Sequence, residues 1–326
     1  MVKTIWALMD NRRGSVSQAK GILNALNPAE FNVVEKNIEY TRFSGLPNWL
    51  RGRTLVGITA ASKNQLTQPF PDIVLSISRR TAPIARYIKK KSPATKLVQL
   101  MHAGSAGIKE FDLIVVPEHD KNKKHTPNMH YIIGCTHQVT PQYLQTARQK
   151  WQKAFANLPR PLTAVIVGGA IKKHPFSAEN AAALADAVKR LKSQIGGSVL
   201  LTTSRRTGEE AQKIIVEALK DIPQYNYLWG DTRENPYSGF LALADNIVVT
   251  GDSVSMCCEA TGSGKPIYVF KGQNWLTKKH ERFVQSLLDN KCAALIENAD
   301  ANFRPQKSLN AAAEVAKLIE KMSEEQ

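Results

Sequence analysis

Twelve short apolar runs punctuate the chain: VKTIWALM, FNVVEKNI, PDIVLSIS, TKLVQLM, FDLIVVPE and YIIG, then LTAVIVGG, SVLLTTS, YNYLW, NIVVTG, PIYVF and AALIE. Helical patterns lie between many of them, at 15–26, 82–90, 140–158, 178–194, 209–221, 253–261, 278–289 and 310–321. Strands separated by helices pair in parallel through crossovers, with both sheet faces covered. The expected fold class is therefore α/β, with two tandem Rossmann-like, doubly wound domains around an interdomain cleft. A length of 326 residues suits two domains. The two prolines of LPRPL, 158–162, mark a hinge. They set a first domain over 1–155 and a second over 161–326, whose last helix is free to pack back on the first.

The chain is 43% hydrophobic and 22% charged, an ordinary globular balance. Its net charge of +16 is distributed unevenly. Residues 1–160 hold 24 Lys/Arg against 9 Asp/Glu, and residues 161–326 hold 20 against 19. A basic first half implies an anionic partner: nucleic acid, an anionic membrane surface or a phosphorylated acceptor. No helix-turn-helix or aromatic platform accompanies the charge, which argues against nucleic acid. The first apolar run is short for a signal peptide, and no stretch approaches the roughly 20 uncharged residues of a membrane helix. Four cysteines, Cys135, Cys257, Cys258 and Cys292, lack zinc-ligand spacing. A cytoplasmic protein is expected, at the cytoplasmic face of the inner membrane where it meets lipid.

The most informative loop is IVVTGDSVSMCCEATGSGKPIYVF, 247–270. A strand ends at Thr250, Gly251 permits a tight turn, and Asp252 or Ser253 caps a helix. Small residues at Gly251, Ser253 and Ser255 let a phosphate approach the backbone N–H groups of the first turn. Glu259, about two turns on, suits a ribose diol. The competing reading is an ordinary strand–helix–strand unit. GSGKP imitates a P-loop, but its glycines precede a strand. Gly168 and Gly169 end another strand and suit close ligand contact. In TTSRRT, Ser204, Arg205 and Arg206 offer a phosphate a forked guanidinium. Trp229, Asn235 and Tyr237 precede a helix and suit the wall of a nucleobase pocket. No Asp-x-Asp occurs, so a metal-held diphosphate is not suggested, and no G-x-G-x-x-G follows the first strand, so no nicotinamide or other cofactor is expected.

The tetrapeptide Ser-Arg-Arg-Thr recurs at VLSISRRTAPI, again behind a strand, with Arg79 and Arg80. Asp10, His102, His119 and Asp120 follow other strands of the first half, and the first three are the candidate general bases. Gly14, Ser15 and Gln18, with Arg79 and Arg80, are the candidate acceptor contacts. RFSGLPNWLRGR, 42–53, mixes Phe43, Leu46, Trp49 and Leu50 with three arginines, as a surface resting on anionic lipid does. An ordinary core-facing helix fits it as well.

DNRRGSVSQAKGI, FDLIVVPEHD, TTSRRT, NPYSGFLALAD and VTGDSVSMCCEATGSGKPIYVF together resemble the bacterial members of the elongated-mitochondria, or mitochondrial fission, family. That family is similar to GT-B glycosyltransferases such as the lipid A disaccharide synthase and the peptidoglycan N-acetylglucosaminyltransferase. The resemblance implies a GT-B-like fold whose second domain holds a nucleotide-diphosphate sugar, a UDP-sugar first. It implies an acceptor, an anionic lipid-linked or envelope glycan, on the first domain. Glu259 matches the ribose-binding glutamate and 251–255 the pyrophosphate-binding helix start. DNRRGS departs from the glycine-rich acceptor loop of those transferases. Without a metal, the departing diphosphate needs other positive charge, which the helix start and Arg205 or Arg206 supply. The alternative is a non-catalytic membrane-associated adaptor that keeps the fold, as plant members act in organelle fission by recruitment.

Overall fold

A computed structural model describes residues 2–104, 106–121 and 125–324. The chain forms two compact units, Met1–Gln138 with Ala311–Gln326, and Val139–Asn310. In the first unit the order is β1 (Lys3–Met9), α1 (Arg13–Leu23), β2 (Phe31–Asn37), α2 (Asn48–Arg51), α3 (Ala60–Asn64), β3 (Ile73–Ile77), α4 (Ala82–Lys91), β4 (Lys96–Leu100), β5 (Leu113–Pro117) and β6 (Met129–Ile132). The second unit runs α5 (Pro141–Trp151), β7 (Leu162–Val167), α6 (Ala178–Ile195), β8 (Ser198–Thr203), α7 (Glu209–Ala218), β9 (Gln224–Tyr227), α8 (Tyr237–Leu243), β10 (Asn246–Thr250), α9 (Val254–Thr261), β11 (Ile267–Phe270), α10 (Lys278–Asp289) and β12 (Ala294–Leu295). Helix α11 (Ala312–Glu324) closes the chain in the first unit.

Each unit holds one six-stranded parallel sheet, ordered β2-β1-β3-β4-β5-β6 in the first and β12-β11-β10-β7-β8-β9 in the second. Side-chain alternation explains why the strands read as unbroken apolar runs. On β1, Ile5, Ala7 and Met9 pack with α1 and α11, while Trp6 and Leu8 pack with α4 on the opposite face. Both faces are covered, so both must be apolar. Strand order reverses between β1 and β3 in the first sheet and between β10 and β7 in the second. Crossovers leave such a point in opposite directions, opening a crevice outside the carboxyl ends of the two strands.

The units do not divide at the proline hinge. Helix α5 belongs to the second unit because Phe155, just beyond it, meets Phe240 (5.5 Å between ring centroids) and Tyr225 (5.0 Å). Gly239 in α8 also leaves room for Trp151, which a Cβ there would meet at 2.5 Å. Helix α11 returns to the first unit through Val315, Ala316 and Ile319, which join the cluster of Ala19, Ile22 and Leu23. His130 and Glu314 pair across it at 2.6 Å. This partition redistributes charge. The first unit carries 22 Lys/Arg against 13 Asp/Glu and the second 22 against 15, so the excess of basic charge is nearly even.

Candidate functional site

In the second unit, the loops at the β10/β7 reversal and the turn after β8 are locked around one carboxylate. Asp252 is 4% exposed. It accepts from the Thr250 hydroxyl (2.7 Å), the Gly169 N–H (2.9 Å) and the Arg206 guanidinium (2.7 Å). Burial pushes its carboxyl up, and Arg206, Thr250 and Gly169 oppose the shift. The two glycines make room for this pair. A Cβ on Gly168 would overlap the Asp252 carboxylate, and one on Gly169, whose φ is +139°, would overlap the Arg206 carbonyl. Gly168 and Gly169 were expected to admit a ligand; their smallness is used inside the protein instead.

Ser204 and Arg206 are likewise turned inward. The Ser204 hydroxyl donates to the Gly168 carbonyl and accepts from the Arg206 N–H at 3.1 Å. Arg206 also donates to the Ala170 carbonyl at 2.9 Å. Arg205 is the exposed member of the pair. Asp252, being tied to Arg206, does not cap α9. Ser253 is the residue before that helix, and neither a side-chain cap nor an acid occupies the first turn. The backbone N–H groups of that turn thus keep their positive end of the helix dipole uncompensated. Gly251 is buried, and a Cβ there would meet Val284 at 2.9 Å, so its smallness serves packing against α10. Ser253 and Ser255 are partly exposed at the same turn.

Glu259, on α9, accepts a 2.8 Å hydrogen bond from the Tyr237 hydroxyl. Burial and the facing carboxylate raise the Tyr237 phenol well above its ordinary value. Tyr143 of α5, absent from the sequence reading, is raised by burial and by Glu259 too. Tyr237 thus holds the Glu259 carboxylate through its hydroxyl and is itself only partly exposed. Asn235 is a turn residue, its side chain accepting from the Tyr237 N–H at 2.9 Å. Of the three expected wall residues, only Trp229 is largely exposed, at 59%. Lys265 of GSGKP precedes β11, at the amino end of the sheet. It donates to the Leu241 carbonyl (2.8 Å), and burial pulls its ammonium down to about 7.

The first unit repeats the device at the β1/β3 reversal. Asp10, 2% exposed, pairs with Arg80 and accepts from the Ser78 hydroxyl at 3.0 Å. Arg80 also donates to the Asn11 side chain (2.8 Å) and lies 4.0 Å over the Tyr40 ring. Ser78 has a φ of +83°, a conformation that non-glycine residues adopt rarely and mostly where the surroundings enforce it. The two Ser-Arg-Arg-Thr copies thus share one pattern of side-chain contacts, although only the first has its serine at positive φ. In each, the serine hydroxyl accepts from the N–H of the second arginine. The threonine is buried and holds strand-end carbonyls. The second arginine clasps a buried aspartate, and the first arginine is exposed.

This arrangement revises the candidate bases. Both oxygens of Asp10 are engaged from within the unit, as suits a residue that positions Arg80. His102 accepts the Gly104 N–H on Nδ1 (3.0 Å), so in the neutral ring the proton sits on Nε2, a donor. His119 is buried beside Asp120, 3.9 Å away. Gly14 and Ser15 lie within the first turn of α1, which begins two residues before the expected start at Ser15, and Ser15 is buried. Gln18 is partly buried one turn further on, its carbonyl accepting from Thr136 at 3.0 Å. Arg79 is exposed and donates to the Leu46 carbonyl at 3.1 Å. Ser105 of the HAGSAG loop lies outside the described residues.

Comparison with known proteins places the chain. The family model described as mitochondrial fission ELM1 matches residues 13–322. The chain belongs to the mitochondrial fission ELM1 family. An ELM1-family chain of this kind is 30% identical to the uncharacterized protein RP120 of Rickettsia prowazekii, over 97% of each. It is 31% identical to the mitochondrial fission protein ELM1 of Arabidopsis thaliana, over 65% of this chain and 54% of the plant protein. The fold is that of two-domain GT-B proteins. The UDP-GlcNAc 2-epimerase of Neisseria meningitidis matches with a TM-score of 0.55 and 12% identity, over 99% of this chain and 100% of that one. MurG of Acinetobacter baumannii matches with a TM-score of 0.51 and 13% identity, over 98% and 100%. Among the described residues, no helix is long and apolar enough to cross a membrane.

Proposed function

We propose that the second unit binds a nucleoside diphosphate sugar at the carboxyl edge of its sheet, and that the protein transfers the sugar without a metal. The observation that carries this reading is the uncapped, acid-free start of α9 at a strand-order reversal, two turns before a carboxylate held by Tyr237. The helix start suits a diphosphate, Arg205 supplies mobile positive charge, and Glu259 suits the ribose diol. Trp229 is available to stack on the base. The Neisseria relative in fold is a UDP-GlcNAc enzyme seen with UDP-GlcNAc, which favours a uridine nucleotide. The acceptor is an anionic lipid-linked or envelope glycan that meets the first unit, with Arg79 as the exposed cation. The chemistry runs in the cytoplasm at a membrane surface.

In this account Tyr237 orients Glu259 without touching the ligand. Tyr237→Phe is expected to weaken uridine diphosphate binding by about tenfold, the net worth of one charge-assisted hydrogen bond, as read by titration calorimetry. A variant that binds like wild type would remove Glu259 from the ribose. The second reading, an adaptor that keeps the fold without catalysis, draws on membership of a family named for mitochondrial fission. It predicts no heat with any nucleotide.

A further inference from the structure

The segment 42–56 of the first unit is built inside out. Seven large apolar side chains of the described residues are exposed, and five of them fall here: Phe43 (49%), Leu46 (38%), Trp49 (71%), Leu50 (55%) and Val56 (45%). Three polar residues between them are buried instead, Ser44 at 9%, Asn48 at 6% and Arg51 at 1%, while Arg53 and Thr54 face water. A flexible loop would turn its apolar groups inward and leave the polar ones to water. This one is prevented from doing so by its polar anchors. Asn48 donates to the carbonyls of Arg79 and Ala103, both at 2.9 Å. Arg51 donates to the carbonyls of Arg80 (3.0 Å) and Val56 (3.1 Å), and Arg79 holds the Leu46 carbonyl. Gly57, with φ +96°, lets Ser44 lie against the chain, since a Cβ there would come within 2.9 Å of it.

The stretch that carries this face is strongly basic. Residues 40–109 contain 12 Lys/Arg and one acid, Asp72. Arg42 lies over the Phe43 ring at 5.0 Å, and Arg79 is exposed beside Leu46. Arg53, which is half exposed, pairs with Glu110 at 2.9 Å, so Glu110 offsets part of the charge there. Tryptophan, phenylalanine and leucine displayed among arginines match the boundary between headgroups and acyl chains of an anionic bilayer. A protein partner would have to answer the same charge with acids and the same apolar side chains with an apolar surface of its own. The bilayer answers both without special construction.

We infer that Phe43, Leu46, Trp49, Leu50 and Val56 form a preorganised wedge that seats the first unit on anionic phospholipid. The wedge shares its anchors with the Ser78–Thr81 turn, so docking places the exposed Arg79 at the lipid headgroups. The inference rests on exposure and charge in the first unit, so it stands whether or not the second unit binds a nucleotide.

The test is sedimentation of the full chain with vesicles of phosphatidylglycerol and phosphatidylcholine, beside pure phosphatidylcholine, in about 0.1 M salt. Binding to the mixed vesicles is expected, weakened about 100-fold in W49S/L50S, at about tenfold for each large side chain withdrawn. Trp229→Ser, which removes the exposed tryptophan of the second unit, is expected to bind like wild type. Both replaced side chains of the double variant are exposed, so its melting temperature should hold. Binding that survives W49S/L50S unchanged overturns the wedge in favour of a diffuse basic surface. No binding to either vesicle overturns it too, leaving a protein partner or a second copy of the chain as occupant.

Discussion

Asp10→Ala is expected to cost about 3 kcal/mol of stability, because it leaves the Arg80 guanidinium without its counter-charge in a nearly closed site. The carboxylate side chain is fully buried and the arginine side chain only 17% exposed. The stack on Tyr40 and the bond to Asn11 survive, which keeps the loss at the lower end for a broken buried pair. In a unit of about 150 residues this lowers the melting temperature by roughly 6–12 °C. Asp10→Asn should fall nearly as far, since its amide sets a donor against Arg80. If Asp10 is instead a general base, Asp10→Asn would abolish turnover and leave the melting curve in place. The equivalent change in the second unit, Asp252→Ala, should cost less of its ion pair, because Arg206 is 38% exposed and can turn to water.

Arg205→Ala is expected to weaken uridine diphosphate binding by about 10–100-fold, with no change in melting temperature. Arg205 is exposed, so little folding energy depends on it. Arg206→Ala should lower stability as well as affinity, because it strands Asp252 in the interior. The contrast between adjacent arginines separates the one that meets the ligand from the one that builds the turn. An Arg205→Ala protein with wild-type affinity would contradict the assignment. So would a loss that merely follows a fall in stability.

The sheets were legible because parallel strands covered on both faces leave contiguous apolar runs. Ile73–Ile77 is buried at every position and stands out as IVLSI in the sequence. Even β9, partly exposed at the sheet edge, is marked by its tyrosines and flanking turns. What the sequence hid is long-range partnership. Nothing local says that Val315 and Ile319 pack on α1 some 290 residues away, and the charge asymmetry between halves dissolved once α5 and α11 were assigned by contact. The recurrence of Ser-Arg-Arg-Thr pointed to the right turns but not to their logic. A lone sequence does not reveal that Arg80 and Arg206 face Asp10 and Asp252, or that Gly168 and Gly169 are small for the sake of that pair. Tyr143 and Asn48 carried no signal at all, and Arg51, read with Arg42 and Arg53 as part of a lipid-facing surface, is buried instead, since a polar residue that anchors a loop reads like one that faces water.

The central claim, a nucleotide site in the second unit, is tested most directly by melting the full chain with UDP, GDP, CMP and ADP compounds, with Glu259→Ala beside wild type. A ligand at 100 times its Kd adds about 2.7 kcal/mol, or about 5–10 °C for a unit of this size. The account predicts that a uridine nucleotide raises the wild-type curve by such an amount and leaves the Glu259→Ala curve where it was. A flat response to all four, or an equal shift in both proteins, would contradict it.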